Sequence, residues 1–283
     1  MKLTIEKAGI FWNSTKSNGL PAAEKLCTLL KARGCDVCAD EKLSNILGCD
    51  RIRSECDPGC DVLFVLGGDG TLLSTLDYAV PYGIPMLGIN LGRLGFLAEV
   101  EPDELEQALD AIYDGRFTFE DRMIMAIKGM EEKYFALNEI VISRRTADAG
   151  VLSVETETRG AVIDRVSGDG LIIASATGST AYSLSAGGPI VAPGLECFVL
   201  TPVCPHTMNS RPVVASADEE IMVRVIDKPG EACAVFDGRR VLTLSADNPG
   251  FTIVRSSKNA RFIRLRERNY FELLRKKLSE WTH

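Results

Sequence analysis

The apolar run Val62-Leu63-Phe64-Val65-Leu66 ends directly in Gly67-Gly68-Asp69-Gly70-Thr71. A short run without polar alternation is buried on both faces, the position of an inner strand in a parallel sheet. The glycines let the backbone turn sharply and come close to a ligand. Leu72 to Val80 then has helical spacing. A strand, a tight glycine turn and a helix in this order aim backbone N–H groups at phosphate oxygens, and Thr71 is expected to cap the helix. The Asp69 carboxylate is out of place in such a cradle, because it repels phosphate. Three explanations fit it: it orients a substrate hydroxyl, it partners a metal, or it is an N-cap in a structural turn. The turn lacks the lysine of the GxxxxGK[ST] loop.

The segments around this turn alternate in type. Ala8–Trp12 and Ile84–Ile89 read as strands. Pro21–Arg33 reads as a helix with Ala22, Leu26, Leu29 and Leu30 on one face, Pro21 in its first turn and Gly34 at its stop. Pro102–Tyr113 is a second helix, with Leu105, Leu109 and Ile112 inward and Gly115 at its end. Repeated strand–helix units imply a parallel sheet covered by helices. After Gly115 the period changes. Phe117/Phe119 and Met123/Met125/Ile127 alternate with polar residues. Tyr134–Ile142, Val151–Thr158, Leu171–Ala174, Ile221–Ile226, Ala232–Phe236, Val241–Leu244 and Phe251–Val254 are further short strand candidates. Tyr270–Trp281 returns to helical spacing, with Phe271, Leu274 and Leu278 on one stripe. The expected architecture is an α/β domain with a parallel sheet over residues 1–116 and a mostly β domain over 117–258. A C-terminal helical segment, 259–283, is expected to pack back on the first domain.

Composition narrows the class. With 46% hydrophobic and 25% charged residues, the 283-residue chain has the balance of a globular protein. No apolar run approaches the roughly 20 residues of a membrane span, and the charged start Met1–Lys7 has no signal-peptide core. The expected location is the cytoplasm. A net charge of −7 disfavours broad nucleic-acid binding. The nine Lys/Arg against three Glu between Arg255 and His283 read as a solvated helix face. Five of the nine cysteines fall between Cys35 and Cys60, with one CxxC pair, and the histidines are His206 and His283. That is too little for a zinc site, so free thiols and no protein-held metal are expected.

A second block carries the specificity. Gly168-Asp169-Gly170-Leu171-Ile172-Ile173 leads to Thr177-Gly178-Ser179-Thr180-Ala181-Tyr182-Ser183-Leu184-Ser185-Ala186-Gly187-Gly188-Pro189. Its small side chains suit either close approach of a ligand or tight packing of an interdomain helix. Thr180, Ser183 and Ser185 bring hydroxyls, and Tyr182 brings a ring. The Gly67–Thr71 turn is similar to one shared by NAD kinases, diacylglycerol and sphingosine kinases and 6-phosphofructokinases. The Thr177–Pro189 block resembles the signature of the NAD kinases alone. Ile89–Leu97, Asn138-Glu139, Pro205-His206-Thr207, Arg211-Pro212 and Asp237-Gly238 fit the same family, in its order and over nearly the whole chain.

The resemblance implies transfer of the γ-phosphoryl group of ATP to the 2′-hydroxyl of the adenosine ribose of NAD, making NADP. Asp69 would accept the proton, and magnesium or another divalent cation would accompany the nucleotide phosphates. Asp69 and Gly70 would meet the reacting ribose, Gly67, Gly68 and Thr71 the phosphates. Asn138 and Glu139 would hold ribose and adenine. Asp169 would contact the dinucleotide, and Thr180, Ala181, Tyr182, Ser183, Leu184 and Ser185 would line its adenine side. Arg93, Phe96 and Arg239 are further candidates. The family implies a homodimer or homotetramer with small-molecule substrates and neither nucleic-acid nor membrane partners. Three positions depart from its usual pattern. Ala174-Ser175-Ala176 replaces Ser-Thr-Pro, Arg239 stands where glutamine is frequent, and Ser167 where arginine is. A lipid or sugar kinase sharing the turn, or a non-catalytic dinucleotide sensor, is the alternative.

Overall fold

A computed structural model describes residues 3–52, 59–92, 95–146, 150–267 and 269–280. The chain divides into two compact units, Met1–Asp121 with Ala260–His283, and Arg122–Asn259.

In the first unit, strands β1 (Lys7–Trp12), β2 (Asp36–Ala39), β3 (Asp50–Arg51), β4 (Val62–Gly67) and β5 (Met86–Asn90) lie in the order β5-β4-β1-β2-β3, all parallel. Every residue of β4 is buried, as its unbroken apolar run requires. Helix α1 (Gly19–Ala32) buries Ala22, Ala23, Leu26 and Leu30. They meet Phe64 and Leu66 of β4 and Leu105, Leu109 and Ile112 of α5 (Leu105–Tyr113) in one core. Each fully buried leucine contributes about 2 kcal/mol. Gly34, with φ +75°, supplies the left-handed turn after α1. The chain moves outward from β1 through β2 and β3, then returns to set β4 and β5 on the other side of β1. The carboxyl ends of β1 and β4 therefore flank a topological switch point, where the loops diverge and leave a crevice.

In the second unit the strands form two antiparallel arrays. One has the order β13 (Val213–Ser216), β12 (Cys197–Val203), β11 (Gly170–Ser175), β8 (Glu139–Arg144), β15 (Ala232–Phe236), β16 (Arg240–Thr243). The other runs β10 (Ala161–Gly168), β9 (Leu152–Thr158), β14 (Ile221–Val225) and the first residues of β17 (Gly250–Arg264). Ile140, Ile142, Leu171, Ile173, Phe198 and Phe236 from the first array share a core with Val154, Val166, Ile221, Val223 and Ile253 from the second. The strand period of two sends Ile172, Ala174 and Val199 to the opposite face, against Val191.

Several expectations shift. Helix α3 is Asp69–Ser74 and α4 is Leu76–Ala79, so the helix begins at Asp69 and breaks at Thr75. Tyr134–Ile142 is two strands, β7 (Phe135–Ala136) and β8, interrupted at Leu137-Asn138. The segment Asp36–Arg51 and strands β10, β12 and β13 add elements beyond the expected set. In α7 (Tyr270–Glu280), Phe271 is 64% exposed and Leu278 is exposed too, so the apolar stripe faces largely outward. Among the described residues no helix is long and apolar enough to cross a membrane.

Candidate active site

Gly67 ends β4, Gly68 is the N-cap of α3, and Asp69, Gly70 and Thr71 form its first turn. Thr71 is inside the helix and caps nothing, because the capping position is already held by Gly68, without a side-chain hydrogen bond. The Thr71 hydroxyl instead folds back over Gly67, 2.1 Å from where a Cβ there would stand. Gly68, Gly70, Thr71 and Ser74 line one wall of a cavity of about 470 Å³. Trp12, Asn13, Ser14 and Lys16, from the loop after β1, line the other. This is the crevice at the switch point.

Asp69 is not part of that wall. Its carboxylate accepts the backbone N–H of Phe96 on Oδ2 at 2.8 Å, and those of Leu97 and Ala98 on Oδ1 at 3.0 and 3.3 Å. A carboxylate offers about four acceptor sites; three are used here. Gly95 packs directly on it, so a Cβ at residue 95 would lie 2.1 Å from Asp69 Oδ1. The 96–99 loop is fixed from its other side. Buried Arg264 donates to the Leu97 carbonyl at 2.7 Å and pairs with buried Glu99 at 3.3 Å, and Glu99 Oε1 accepts the N–H groups of Leu265 and Arg266. Phe96 has its ring 6.3 Å from that of Tyr270. Arg93 lies outside the described residues.

In the second unit, Asp237 repeats the device. Its backbone is left-handed at φ +47°, and its carboxylate accepts the N–H groups of Leu137, Asn138 and Glu139 at 2.8, 2.8 and 3.0 Å. Burial pushes the Asp237 carboxyl up, against the pull of the three amides and of Arg239. Arg239 Nη2 is 3.6 Å from Asp237 Oδ2, and its guanidinium lies over Phe135. Arg239 therefore compensates a buried carboxylate. The Thr177–Thr180 turn packs onto the same loop, since a Cβ on Gly178 would stand 2.0 Å from the Asn138 carbonyl oxygen. Ser175 adds to this. Its hydroxyl donates to the Leu137 carbonyl and accepts from Gly178 N–H.

Burial, then the negative charge of Asp237, pushes the Glu139 carboxyl up to about 7; the Tyr182 backbone N–H that donates to it pulls the other way. Glu139 Oε2 has no hydrogen-bond partner among the described residues. Asp169 and Tyr182 line a cleft of about 360 Å³ with Ser143, Arg144 and Arg145, and Arg144 donates to Asp169 at 2.8 Å. Asn138, Glu139, Asp169 and Tyr182 are thus brought close around β8, β11 and the short helix α6 (Tyr182–Ser185). Ser183 points inward, its hydroxyl 2.8 Å from that of Thr201. Thr180 Oγ1 bonds the Thr177 carbonyl, Ala181 caps α6, and Ser185 is exposed. The eight described cysteines are free thiols.

Two family models match the chain, the ATP-NAD kinase N-terminal domain over residues 8–117 and the ATP-NAD kinase C-terminal domain over 137–265. A NAD kinase of Heliobacterium modesticaldum is 42% identical over 236 residues, covering 82% of this chain and 81% of that one. Those of Moorella thermoacetica and Chlorobaculum tepidum are 38% and 37% identical over 282 residues, each covering 98% of this chain, and 90% and 98% of their own lengths. The chain belongs to the NAD kinase family. Among solved structures, a NAD kinase from Archaeoglobus fulgidus in complex with ATP superposes with a TM-score of 0.76 at 28% identity, covering 95% of this chain and 98% of that one. A yeast NADH kinase complexed with NADH has the same fold, with a TM-score of 0.86 at 21% identity over 97% of this chain and 88% of that one. The lipid-kinase, sugar-kinase and sensor alternatives find no support among these relatives of the NAD kinase family.

Reading the sequence of this NAD kinase family member missed Glu99, Arg264, Lys16 and the part played by Asp237. One signal was available: a buried polar residue beside an apolar run needs a partner, and Glu99 follows Phe96-Leu97-Ala98. Gly95→Ala should displace the Asp69 carboxylate and lower kcat at least about 100-fold, because a misplaced reacting group costs that much. Steady-state kinetics beside circular dichroism checks it; unchanged kcat in a folded variant contradicts the packing. Glu139 generates a pH signature. A carboxyl raised from 4.5 to about 7 favours the folded state fully below pH 4.5 and loses that contribution as pH rises through 7. Denaturant unfolding of wild type should therefore lose up to about 3 kcal/mol relative to Glu139→Gln between pH 4.5 and 8. Parallel pH profiles for the two proteins contradict it.

Proposed function

We propose that this chain moves the γ-phosphoryl group of ATP onto the 2′-hydroxyl of the adenosine ribose of NAD, with Asp69 as the proton acceptor. The observation that carries the reading is the way Asp69 is held. Three successive amides engage its two oxygens and turn it out of the glycine-lined cavity. One acceptor site on Oδ2 is left for a hydroxyl. The glycine wall takes the donor phosphates without facing a carboxylate, which removes the electrostatic conflict in the turn.

The new bond joins the ribose 2′-oxygen to the γ-phosphorus. The bond from that phosphorus to the β,γ-bridging oxygen breaks, and ADP leaves with the electron pair. The hydroxyl proton passes to Asp69. An aspartate is a weak base, and it suffices because a loose transition state releases that proton late. Most of the acceleration comes from alignment and charge stabilisation. Gly67, Gly68 and Thr71 serve the phosphates, and Gly70, beside Asp69, meets the reacting ribose. Asn138, Glu139, Asp169 and the Thr180–Ser185 segment recognise the dinucleotide. Arg144, from the strand beside Asp169, supplies a cation near the position where Ser167 replaces the family arginine. The ATP complex of the Archaeoglobus relative supports ATP as donor. A divalent cation such as magnesium, when bound with the donor phosphates beside Gly68, Gly70, Thr71 and Ser74, would supply positive charge that offsets theirs. The lining fits that arrangement: Asn13, Ser14, Thr71 and Ser74 bring neutral oxygen groups to the cavity, suited to a cation that keeps its waters and sits on the phosphates. A cytoplasmic homodimer or homotetramer is the proposed assembly.

Purified protein with NAD, ATP and magnesium should form NADP, measured by an NADP-specific dehydrogenase. Asp69→Asn should lower kcat about 10³-fold while NAD still binds within a few-fold of wild type. No NADP from the wild type with any phosphoryl donor, or a fully active Asp69→Asn, overturns the proposal.

A further inference from the structure

Among the described residues that line the glycine cavity, Lys16 carries the only formal charge. Among the described residues it has no carboxylate partner, although the chain holds 39 acidic residues and has a net charge of −7. An ammonium without a carboxylate partner among the described residues, on a lysine that lines a crevice of glycines and hydroxyls in an acidic protein, is arranged for an anion from outside. The cavity also stands at the switch point between β1 and β4, where α/β sheets bind their ligands.

The loop that carries Lys16 is held on both sides of the crevice. Asn13 N–H donates to the Leu66 carbonyl of β4 at 2.8 Å, and Asn18 Nδ2 to the Leu91 carbonyl beyond β5 at 3.3 Å. Between them Lys16 closes a turn, its N–H on the Asn13 carbonyl and its own carbonyl accepting from Gly19 N–H, both at 3.1 Å. The Asn13 side chain fixes the turn through the N–H and hydroxyl of Thr15. The ammonium reaches the segment after β5, 3.8 Å from the place a Cβ on Gly92 would occupy.

We propose that Lys16 is the residue that grips the terminal phosphate of the donor nucleoside triphosphate. This rests on the phosphoryl-transfer reading above and adds the cation that the glycine turn lacks. A lysine offers a compact charge and three rotatable donors, which suits a phosphate that moves as its bonds change. Its charge offsets that building on the leaving bridging oxygen and the equatorial oxygens during transfer. Lys16 binds the donor and leaves the dinucleotide alone.

The test uses the full chain with Lys16→Ala and Lys16→Arg. ATP and NAD are varied separately in steady-state assays, and binding of each is measured by calorimetry. Lys16→Ala should lower kcat/KM for ATP about 100-fold, leave NAD affinity within two-fold, and flatten the dependence of kcat/KM for ATP on salt. Lys16→Arg should restore most of the loss. Unchanged kcat/KM for ATP in Lys16→Ala overturns the proposal, as does an equal loss of ATP and NAD binding, which marks a structural role. If the wild type makes no NADP, the functional reading fails, and calorimetry with ATP decides Lys16 separately. Weaker ATP binding by Lys16→Ala then supports the grip, and equal binding refutes it.

Discussion

An aspartate that captures three successive backbone N–H groups organises each of the two units. Asp69 captures Phe96, Leu97 and Ala98, and Asp237 captures Leu137, Asn138 and Glu139. Three N–H groups pointing the same way leave a loop without internal partners, and buried backbone donors have to be satisfied. Hydrogen bonds to a charged acceptor contribute about 1.5–3 kcal/mol each. One side chain thereby fixes three successive residues, of which only Glu139, at the start of β8, also belongs to a sheet. The loops so fixed carry the residues of the proposed chemistry, which explains how short irregular segments keep a defined geometry.

The two captures differ in what surrounds them. Around Asp69 the support is ionic and remote. Glu99 and Arg264 hold the far side of the loop, and breaking such a buried pair costs several kcal/mol. Around Asp237 the strain is electrostatic and close. A second carboxyl, Glu139, is pushed up by burial and then by the charge of Asp237, and Arg239 is the local counterweight. Arg239 therefore has a structural reason to stand here. Ser175 supplies a hydroxyl that ties two loops together.

Much of the fold was legible because its signals are local. The apolar run of β4, the Pro-to-Gly span of α1 and the buried–exposed alternation in β14 each lie within one short window. The elements that escaped had competing local chemistry. Cys35–Cys38 read as a thiol cluster and hid β2. Pro202, inside β12, cannot donate to a ladder and argues against a strand, yet β12 pairs on both sides. Of the candidate site, Asp69 was legible because a carboxylate conflicts with a phosphate turn. Its partners were not, because they stand 27 to 29 residues away, and Arg264 meets Glu99 across 165. Asp237 finds its loop across about a hundred residues. No spacing rule reaches that far; only the completed sheets bring those groups together.

The central claim is that Asp69 faces the acceptor hydroxyl while the glycines face the donor. A crystal structure of the chain with NAD and a non-hydrolysable ATP analogue tests it most directly. The account predicts the ribose 2′-oxygen about 3 Å from Asp69 Oδ2, with the Phe96–Ala98 amides still in place and the analogue's phosphates in the glycine cavity. A 2′-oxygen out of reach of Asp69, or an Asp69 carboxylate turned into the phosphate cavity, would contradict it.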